Sequence, residues 1–255
     1  MKLVTTEHGI AADDLVYHGS KIKARLKALL HTVRLKRADA IIAVSLATRD
    51  AMIAKWHPLK PVIVIPNGVD VDTVRDSVDS LRTGPSAEGP RVLSLSRLSA
   101  EKRIPDLLRA FAWVRDEHAD ARLTVAGDGP LRTELEDLAA RLGIGSAVDF
   151  PGFMDASEAM ANADVLVQLS VWENCSYTLL DAVSAGLGVV ATPVGGNPEI
   201  VGDANLVDAD CHQEIASAVV KQWQEPATRP EFPQQWPSTS KMARATAVVY
   251  AGTMD

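Results

Sequence analysis

The chain has 255 residues, 47% of them hydrophobic, and a net charge of −7. This length allows one large domain or two small ones, with enough apolar material for a substantial core. The negative charge argues against a general nucleic-acid-binding protein, no apolar run reaches the roughly 18–20 residues of a membrane span, and Cys175 and Cys211 lack the spacing of a metal site or a disulfide framework.

The first part of the chain predicts a small α/β portion, residues 1–70. Its length is short against the roughly 100–150 residues of an ordinary domain. Its apolar runs predict strands at "KLVTTEH" (2–8), "AIIAVS" (40–45) and "PVIVIPNG" (61–68), with helices near 20–37 and 46–55. The polar residues 71–90, rich in Ser, Gly and Pro toward their end, predict an interdomain linker.

Residues 91–224 alternate between strand and helix patterns. Predicted strands are 91–96, 122–127, 147–152, 164–170, 188–192 and 205–208, and predicted helices lie near 105–117, 131–142, 155–162, 178–185 and 212–224. Continuous apolar strands are typical of a parallel sheet covered on both faces, so we predict a doubly wound α/β domain. Residues 225–255 predict a Pro-rich connection and a final helix.

Two cations, Arg97 and Lys102, follow the predicted strand 91–96. In an open parallel sheet, ligands bind beyond the carboxyl ends of the strands, where these cations would lie. Such a pair favours a phosphate or diphosphate group. The alternative is an ordinary surface, on which the two cations pair with Glu101 or Asp106.

Two further turns at predicted strand ends suit an anion. Gly195 and Gly196 allow close approach of the backbone to a ligand. Glu173 precedes a helix whose free backbone N–H groups would attract negative charge, and the first turn of that helix carries Ser176, Tyr177 and Thr178. Each feature alone is also typical of a plain helix start or turn, but together they favour a phosphate site.

The order of these motifs resembles a known family. The segments "RLSAEK", "LTVAGDGP", "VDFPGF", "ADVLVQLSVWEN" and "LLDAVSAGLGVVATPVGGNPEIV" resemble the C-terminal domain of retaining glycosyltransferases of the GT-B fold, family 4. The segments "TEHG", "ADAIIAVS" and "IPNGVD" resemble the second half of that family's N-terminal domain. The resemblance implies a complete Rossmann-like C-terminal domain and an N-terminal domain that lacks its first half.

The resemblance also implies roles for individual residues. Arg97 and Lys102 would grip the donor diphosphate, Glu173 would face the donor sugar or leaving group, and His8 would approach that sugar. Asp181 would hold the ribose hydroxyls, although the family usually has Glu there. The other donor-binding positions implied are Ser176, Tyr177 and Thr178 at the phosphates, Gly152, Phe153 and Met154 beside the base, and Gly195 and Gly196. Arg103 stands where the family commonly has glycine.

The function implied is sugar transfer from a UDP- or GDP-linked donor to a glycan or lipid-linked acceptor. Retention of configuration, no metal or other cofactor, and a cytoplasmic location are further expectations from the resemblance. The alternative is a catalytically weak fragment that only binds nucleotide sugar or needs a complementing N-terminal chain.

Two other enzyme classes are disfavoured. A glycoside hydrolase needs carboxylates roughly 5–9.5 Å apart, whereas Glu173 and Asp181 would lie about 12 Å apart along a continuous helix. A nicotinamide oxidoreductase would show G-x-G-x-x-G at the start of its sheet, and "GDGP" lacks that pattern.

The predicted helix 20–37 is unusual because it carries seven Lys or Arg residues and no acid. An apolar stripe at helical spacing comprises Ile22, Leu26, Leu29, Leu30 and Val33. One interpretation packs the stripe into the N-terminal domain. The other lays it on anionic lipid, with peripheral contact at the inner membrane face.

Overall fold

The computed structural model describes residues 2–10, 21–82, 84 and 88–253. The chain forms two compact units, the first from Met1–Val69, Trp172–Ser176 and Gln235–Asp255, and the second from Asp70–Val171 and Tyr177–Gln234. In chain order the described elements are β1 (Val4–Glu7), α1 (Lys21–Arg37), β2 (Ala40–Ala43), α2 (Leu46–Trp56), β3 (Val62–Val64), α3 (Val71–Leu81), β4 (Arg91–Leu95), α4 (Ile104–Glu117), β5 (Arg122–Ala126), α5 (Arg132–Arg141), β6 (Val148–Gly152), α6 (Ala156–Ala161), β7 (Val165–Gln168), α7 (Tyr177–Ser184), β8 (Gly188–Ala191), α8 (Asn197–Val201), α9 (His212–Gln224) and α10 (Thr239–Gly252).

The first unit contains a parallel sheet in the order β1-β2-β3. Every residue of the central strand β2 is buried, as its continuous apolar sequence predicts. Helix α2 follows β2 closely and is capped by Ser45, whose Oγ accepts a hydrogen bond from the Thr48 amide. The core of the unit is built from Leu35, Ile41, Ala43, Met52 and Trp56.

Helix α1 does not pack against this core through its apolar stripe. Its inward face holds Leu35, which is buried, and His31, whose ring stacks on Trp56 at 4.3 Å. The stripe residues stay exposed, with relative exposures of 58% for Leu26, 59% for Leu29, 60% for Leu30 and 44% for Val33. The interpretation that packs these four side chains into the domain is therefore wrong, because the helix packs through positions 31 and 35. The Ile22 side chain and residue 20 lie outside what the structure describes.

The second unit contains a five-stranded parallel sheet in the order β6-β5-β4-β7-β8. Successive residues of its strands pack into different hydrophobic clusters. Val92 and Val165 join the core that includes α4 and α9, whereas Leu93 and Leu166 are equally buried outside that core. Because successive side chains of a strand point to opposite faces, both faces of the sheet are covered, and the predicted doubly wound architecture is confirmed.

Three boundaries differ from the sequence prediction. Residues 71–81, predicted as linker, form helix α3, which contacts α6 and α7 of the second unit and buries Val78 completely. The predicted strand 205–208 reduces to a single bridge between Ala191 and Leu206. Residues 172–176, predicted within the C-terminal domain, belong to the first unit. Among the described helices, none is long and apolar enough to cross a membrane.

Candidate functional site

The strand order of the second unit reverses at β4, which has β5 on one side and β7 on the other. Chain segments that leave two such strands diverge and open a crevice at their carboxyl ends. The segment after β4 carries Arg97 and then Lys102, and the segment after β7 carries Ser170. Across this point Lys102 Nζ donates a hydrogen bond to Ser170 Oγ at 3.4 Å.

A small cavity lies at the same place. Lys102, Ser170 and Thr178 line it together, and its volume of about 10 Å³ is comparable to the space needed by one water molecule. The remaining lining residues are Ser94, Leu95, Ser96, Leu166, Val167 and Gln168. Two residues that the sequence singled out separately, Lys102 and Thr178, are thus brought together.

Arg97 is exposed at the end of β4. Among the described residues, its guanidinium makes no hydrogen bond or ion pair. Glu101 attracts the Arg97 charge at longer range, but both nearby acids have closer partners. Glu101 accepts a hydrogen bond from Ser99 at 2.7 Å, and Asp106 pairs with Arg103, Arg109 and His212. The planar Arg97 fork is therefore available to a bidentate anion.

Arg103 adopts the left-handed conformation, with φ of 52°, at the position where the resemblance expects glycine. This backbone costs a non-glycine residue about 1–2 kcal/mol. The side chain reaches Asp106 at 2.7 Å and Asp210 at 2.5 Å, which offsets that cost. Partial burial raises the pKa of the Asp106 carboxyl, but hydrogen bonds from Arg103 and His212 outweigh this effect and hold the pKa below its ordinary value.

Glu173 belongs to the first unit, within the segment Trp172–Ser176. The next residue, Asn174, is buried, and its Oδ1 accepts hydrogen bonds from Ile10 N at 3.2 Å and Thr48 Oγ1 at 3.3 Å. Glu173 lies outside α7, which begins at Tyr177. The separation of Glu173 and Asp181 along a continuous helix, used above against a hydrolase, therefore does not apply.

His8 follows β1 and is exposed. The residue before it, Glu7, is 8% exposed and forms an ion pair with Arg34 of α1 at 2.5 Å. A buried carboxylate is tolerated when it has such a partner. The pair ties α1 to the strand end that carries His8.

Helix α7 carries Tyr177, Thr178 and Asp181. Ser176, directly before it, is buried, whereas Tyr177 is half exposed. Burial raises the pKa of the Asp181 carboxyl to about 6, and no cation among the described residues opposes this shift. A desolvated carboxylate without a cationic partner is suited to accept hydrogen bonds from hydroxyl groups, such as those of a ribose.

The two glycine loops have the backbone that requires glycine. Gly152 has φ of 82° and Gly195 has φ of 53°, both in the left-handed region. After Gly152, the Phe153 ring is 92% exposed and Met154 is half-buried. Gly196 caps the short helix α8 without a side chain. An open cavity of about 450 Å³ lies beside the second loop, lined by Arg103, Ser170, Val171, Thr192, Pro193, Val194, Leu206, Val207, Asp208 and Ala209.

Sequence reasoning missed the residues that hold the Glu173 segment, namely Asn174, Thr48 and Asn67. Asn67 Nδ2 donates to the Cys175 carbonyl oxygen at 2.9 Å, although the two residues are 108 positions apart. Each of the three lies within or beside a motif quoted above, "SVWEN", "AIIAVS" or "IPNG". A polar residue at the end of an apolar strand is the available signal, but it does not identify the partner.

Comparison with known families gives two matches. Residues 89–225, more than half of the chain, match the family described as glycosyl transferases group 1. Residues 1–73 match the description Glycosyltransferase Family 4.

Curated relatives are similar over most of this chain. It is 30% identical over 207 residues to N-acetyl-alpha-D-glucosaminyl L-malate synthase of Bacillus anthracis, covering 79% of this chain and 52% of that protein. It is 29% identical over 206 residues to glycogen synthase of Mycobacterium tuberculosis, covering 78% and 48%. It is 31% identical over 198 residues to alpha-monoglucosyldiacylglycerol synthase of Streptococcus pneumoniae, covering 73% and 43%. The chain spans about half the length of these relatives.

Solved structures with the same fold include Anabaena HepE in complex with UDP-glucose. Its TM-score is 0.81 at 23% identity, over 98% of this chain and 72% of that one. WaaG, a glycosyltransferase involved in lipopolysaccharide biosynthesis, gives 0.71 at 19% identity, over 96% and 74%. These likenesses confirm the predicted GT-B-like α/β fold.

Proposed function

Since the chain belongs to the family of glycosyl transferases group 1, we propose that it transfers a sugar from a UDP- or GDP-linked donor to a glycan or lipid-linked acceptor, with retention of configuration. The observation that carries the proposal is the arrangement at the ends of β4 and β7. There Lys102, Ser170 and Thr178 line one small cavity, and the Arg97 guanidinium is exposed and makes no hydrogen bond or ion pair among the described residues.

These two cations suit the departing group. In the transfer step, the bond between the anomeric carbon and the diphosphate oxygen breaks, and negative charge grows on the nucleoside diphosphate. Arg97 can form two parallel hydrogen bonds to phosphate oxygens, and Lys102 supplies a compact charge. Positive groups fixed where charge develops lower the barrier, because little reorganisation is needed during the reaction.

The other predicted residues have complementary roles in this proposal. Glu173 and His8 face the donor sugar, and the Asp181 carboxylate accepts hydrogen bonds from the ribose hydroxyls. Gly152 to Met154 lie along the base, and the amides near Ser176 to Thr178 and the Gly195–Gly196 turn contribute to donor binding. A lipid-linked acceptor is supported by the exposed stripe of α1 and by the name of the pneumococcal relative, a diacylglycerol glycoside synthase.

Calorimetric titration with UDP, GDP and ADP tests the donor site and identifies the base. Arg97→Ala and Lys102→Ala should each weaken binding of the preferred nucleotide by about 1–3 kcal/mol, as expected for charge-assisted hydrogen bonds. Arg109→Ala and Lys221→Ala are matched controls on the surface of the second unit and should leave affinity unchanged.

Equal affinity of the parent and both site variants for all three nucleotides would contradict the donor site. A donor-hydrolysis and transfer assay then separates the two functional interpretations. Turnover supports the transferase, whereas nucleotide binding without turnover supports the alternative, a chain that only binds nucleotide sugar or needs a complementing N-terminal half.

A further inference from the structure

The segment Trp172–Ser176 has an unexpected attachment. In the chain it lies between β7 and α7 of the second unit, yet it belongs to the first unit. Its attachment includes buried hydrogen bonds that Asn174 and Cys175 accept. Asn174 accepts two of them through Oδ1, and the Cys175 carbonyl oxygen accepts one from Asn67.

The partners of Asn174 form a connected buried network. Thr48 Oγ1 donates to Asn174 Oδ1, so its own proton is used there, and the contact of 2.8 Å between Thr48 Oγ1 and Ser45 Oγ has Ser45 as donor. Ser45 Oγ in turn accepts a hydrogen bond from the Thr48 backbone amide at the start of α2. Ser45, Thr48 and Asn174 are 0%, 3% and 7% exposed. Loss of the Asn174 side chain would leave the Ile10 amide and the Thr48 hydroxyl without their acceptor in a dry environment.

The residues that hold this segment lie just beyond the carboxyl ends of the three described strands of the first sheet. Ile10 follows β1, Ser45 with Thr48 follows β2, and Asn67 follows β3. Asn67 is itself held, because its carbonyl oxygen accepts a hydrogen bond from Trp236 Nε1 at 2.8 Å. Three separate points fix the position and the direction of a short segment, whereas one would leave it free to rotate.

We infer that Asn174 is a positioning residue for the transfer reaction, holding the backbone of Glu173 in a fixed relation to the loop that carries His8. Glu173 is the residue directly before Asn174, and His8 lies two residues before Ile10, whose amide Asn174 binds. The inference rests on the proposed function, in which Glu173 and His8 face the donor sugar. Arg97 and Lys102, the proposed diphosphate-binding residues, belong to the second unit.

This division predicts a specific kinetic signature. Displacement of sugar-facing groups lowers the rate of the chemical step, because small errors in geometry are costly there. The contacts of Arg97 and Lys102 to the nucleoside diphosphate do not depend on Asn174. The Ser176–Thr178 amides are still held by the hydrogen bond from Asn67 to the Cys175 carbonyl oxygen and by the helix that begins at Tyr177, so nucleotide affinity changes little. A loss of general structure would instead lower both quantities together.

The test compares Asn174→Ala with the parent and with Asn162→Ala. Asn162 is a surface asparagine of the second unit, and its side-chain amide donates to the Glu158 carbonyl oxygen. With UDP-glucose, or GDP-glucose where the titration selects guanine, kcat of Asn174→Ala should fall about tenfold or more, while the Kd of the free diphosphate stays within about twofold. Asn162→Ala should match the parent in both.

A second pair of variants keeps the test decisive if Asn174→Ala folds poorly. Thr48→Val removes the hydroxyl and keeps the shape of the side chain, whereas Thr48→Ser keeps the hydroxyl. Thr48→Val should lose kcat by roughly threefold to tenfold without loss of diphosphate affinity, and Thr48→Ser should restore most of it. In both Asn174→Ala and Thr48→Val, the Ile10 amide should exchange its hydrogen faster than in the parent.

Unchanged kcat in Asn174→Ala, or equal losses in Thr48→Val and Thr48→Ser, would overturn the inference. A parallel loss of kcat and diphosphate affinity would also overturn it. If the parent binds nucleotide without turnover, the deciding quantity is the ratio of the UDP-glucose and UDP dissociation constants, and an unchanged ratio in Asn174→Ala rejects the role. A parent that binds no nucleotide contradicts the proposed function instead, and a protected Ile10 amide would still report the attachment.

Discussion

The two units have similar strand and helix patterns but differ in how fully their apolar surfaces are covered. In the second unit both faces of the sheet are covered, and large side chains such as Phe111, Leu93 and Leu108 are 1% exposed or less. In the first unit the central strand β2 is buried, but the outer strands are half-buried and Ile63 of β3 is 40% exposed. The stripe of α1 at Leu26, Leu29, Leu30 and Val33 also stays in solvent. An apolar stripe thus indicates a surface that favours burial, without showing what covers it.

The largest expected effect is on the free energy of unfolding, when a core aromatic residue and a leucine of the stripe are each replaced by alanine. Phe111→Ala should lower the free energy of unfolding by about 3–5 kcal/mol, because it opens a cavity in a closed core. Leu30→Ala removes a side chain that is 60% exposed and should change stability by less than about 0.5 kcal/mol. Urea denaturation measures both. A comparable loss in Leu30→Ala would show that the stripe is covered in solution.

The first unit is tightly packed at Gly68, although the α1 stripe of the same unit is exposed. A Cβ at Gly68 would lie 2.6 Å from the Ser238 carbonyl oxygen and 2.8 Å from Thr239 Cα. Both atoms are backbone, so Gly68→Ala should cost about 2–3 kcal/mol through forced displacement. Gly252→Ala, with no atom within 4 Å, is the matched control. Equal melting temperatures for the two variants would argue against the packing of α10 on residue 68.

The third effect concerns Asp181, a carboxyl of the second unit whose pKa is raised to about 6 by burial. In the unfolded chain this carboxyl ionises near its ordinary value of about 3.9, so the folded protein holds the proton to higher pH. Stability therefore falls as pH rises from about 4 to 6, by roughly 1–2 kcal/mol after allowance for solvent near the partly buried group.

Asp181→Asn cannot titrate, so it should gain stability relative to the parent over this pH range. Urea denaturation of both proteins at several pH values between about 4 and 7 provides the measurement. A difference between the two proteins that stays constant with pH would contradict the raised pKa.

Polar substitutions in the stripe of α1 should have the smallest effect on stability. They should have a large effect on binding to lipid vesicles. Leu29→Ser with Leu30→Ser should change the unfolding free energy by less than about 1 kcal/mol. In sedimentation with phosphatidylglycerol vesicles at low salt, the parent should bind, and the double variant should bind at least about tenfold more weakly. High salt should weaken parent binding, because basic residues contribute through screened attraction.

The control pair for that experiment is Leu59→Ser with Leu81→Ser, two exposed leucines outside α1. Neutral phosphatidylcholine vesicles test whether the attraction needs anionic lipid. A parent that fails to sediment with anionic vesicles at low salt would remove the membrane proposal and leave the stripe to another partner.

Much of the second unit was predictable because its strands are continuous apolar runs bounded by turns. The five strands β4 to β8 lie within two residues of the predicted bounds, and the rule on carboxyl ends correctly brought Lys102 and Thr178 to one place. Helix α3 was predicted as linker because its sequence is largely polar, although Val71, Val74, Val78 and Leu81 follow helical spacing. The attachment of Asn174 was missed because it joins residues 126 and 164 positions apart, which no local pattern encodes.

The discontinuity of the first unit has a consequence for how the protein is made. Its first stretch ends at Val69, but the Val69 amide bonds to the Pro237 carbonyl oxygen and the Gly68 amide to Met242 Sδ. During synthesis these contacts must wait for α10, by which time all of the second unit has emerged from the ribosome. The usual order, in which N-terminal structure completes first, is therefore reversed. For the same reason no gene fragment that encodes a single uninterrupted stretch can reproduce the first unit without also carrying the second.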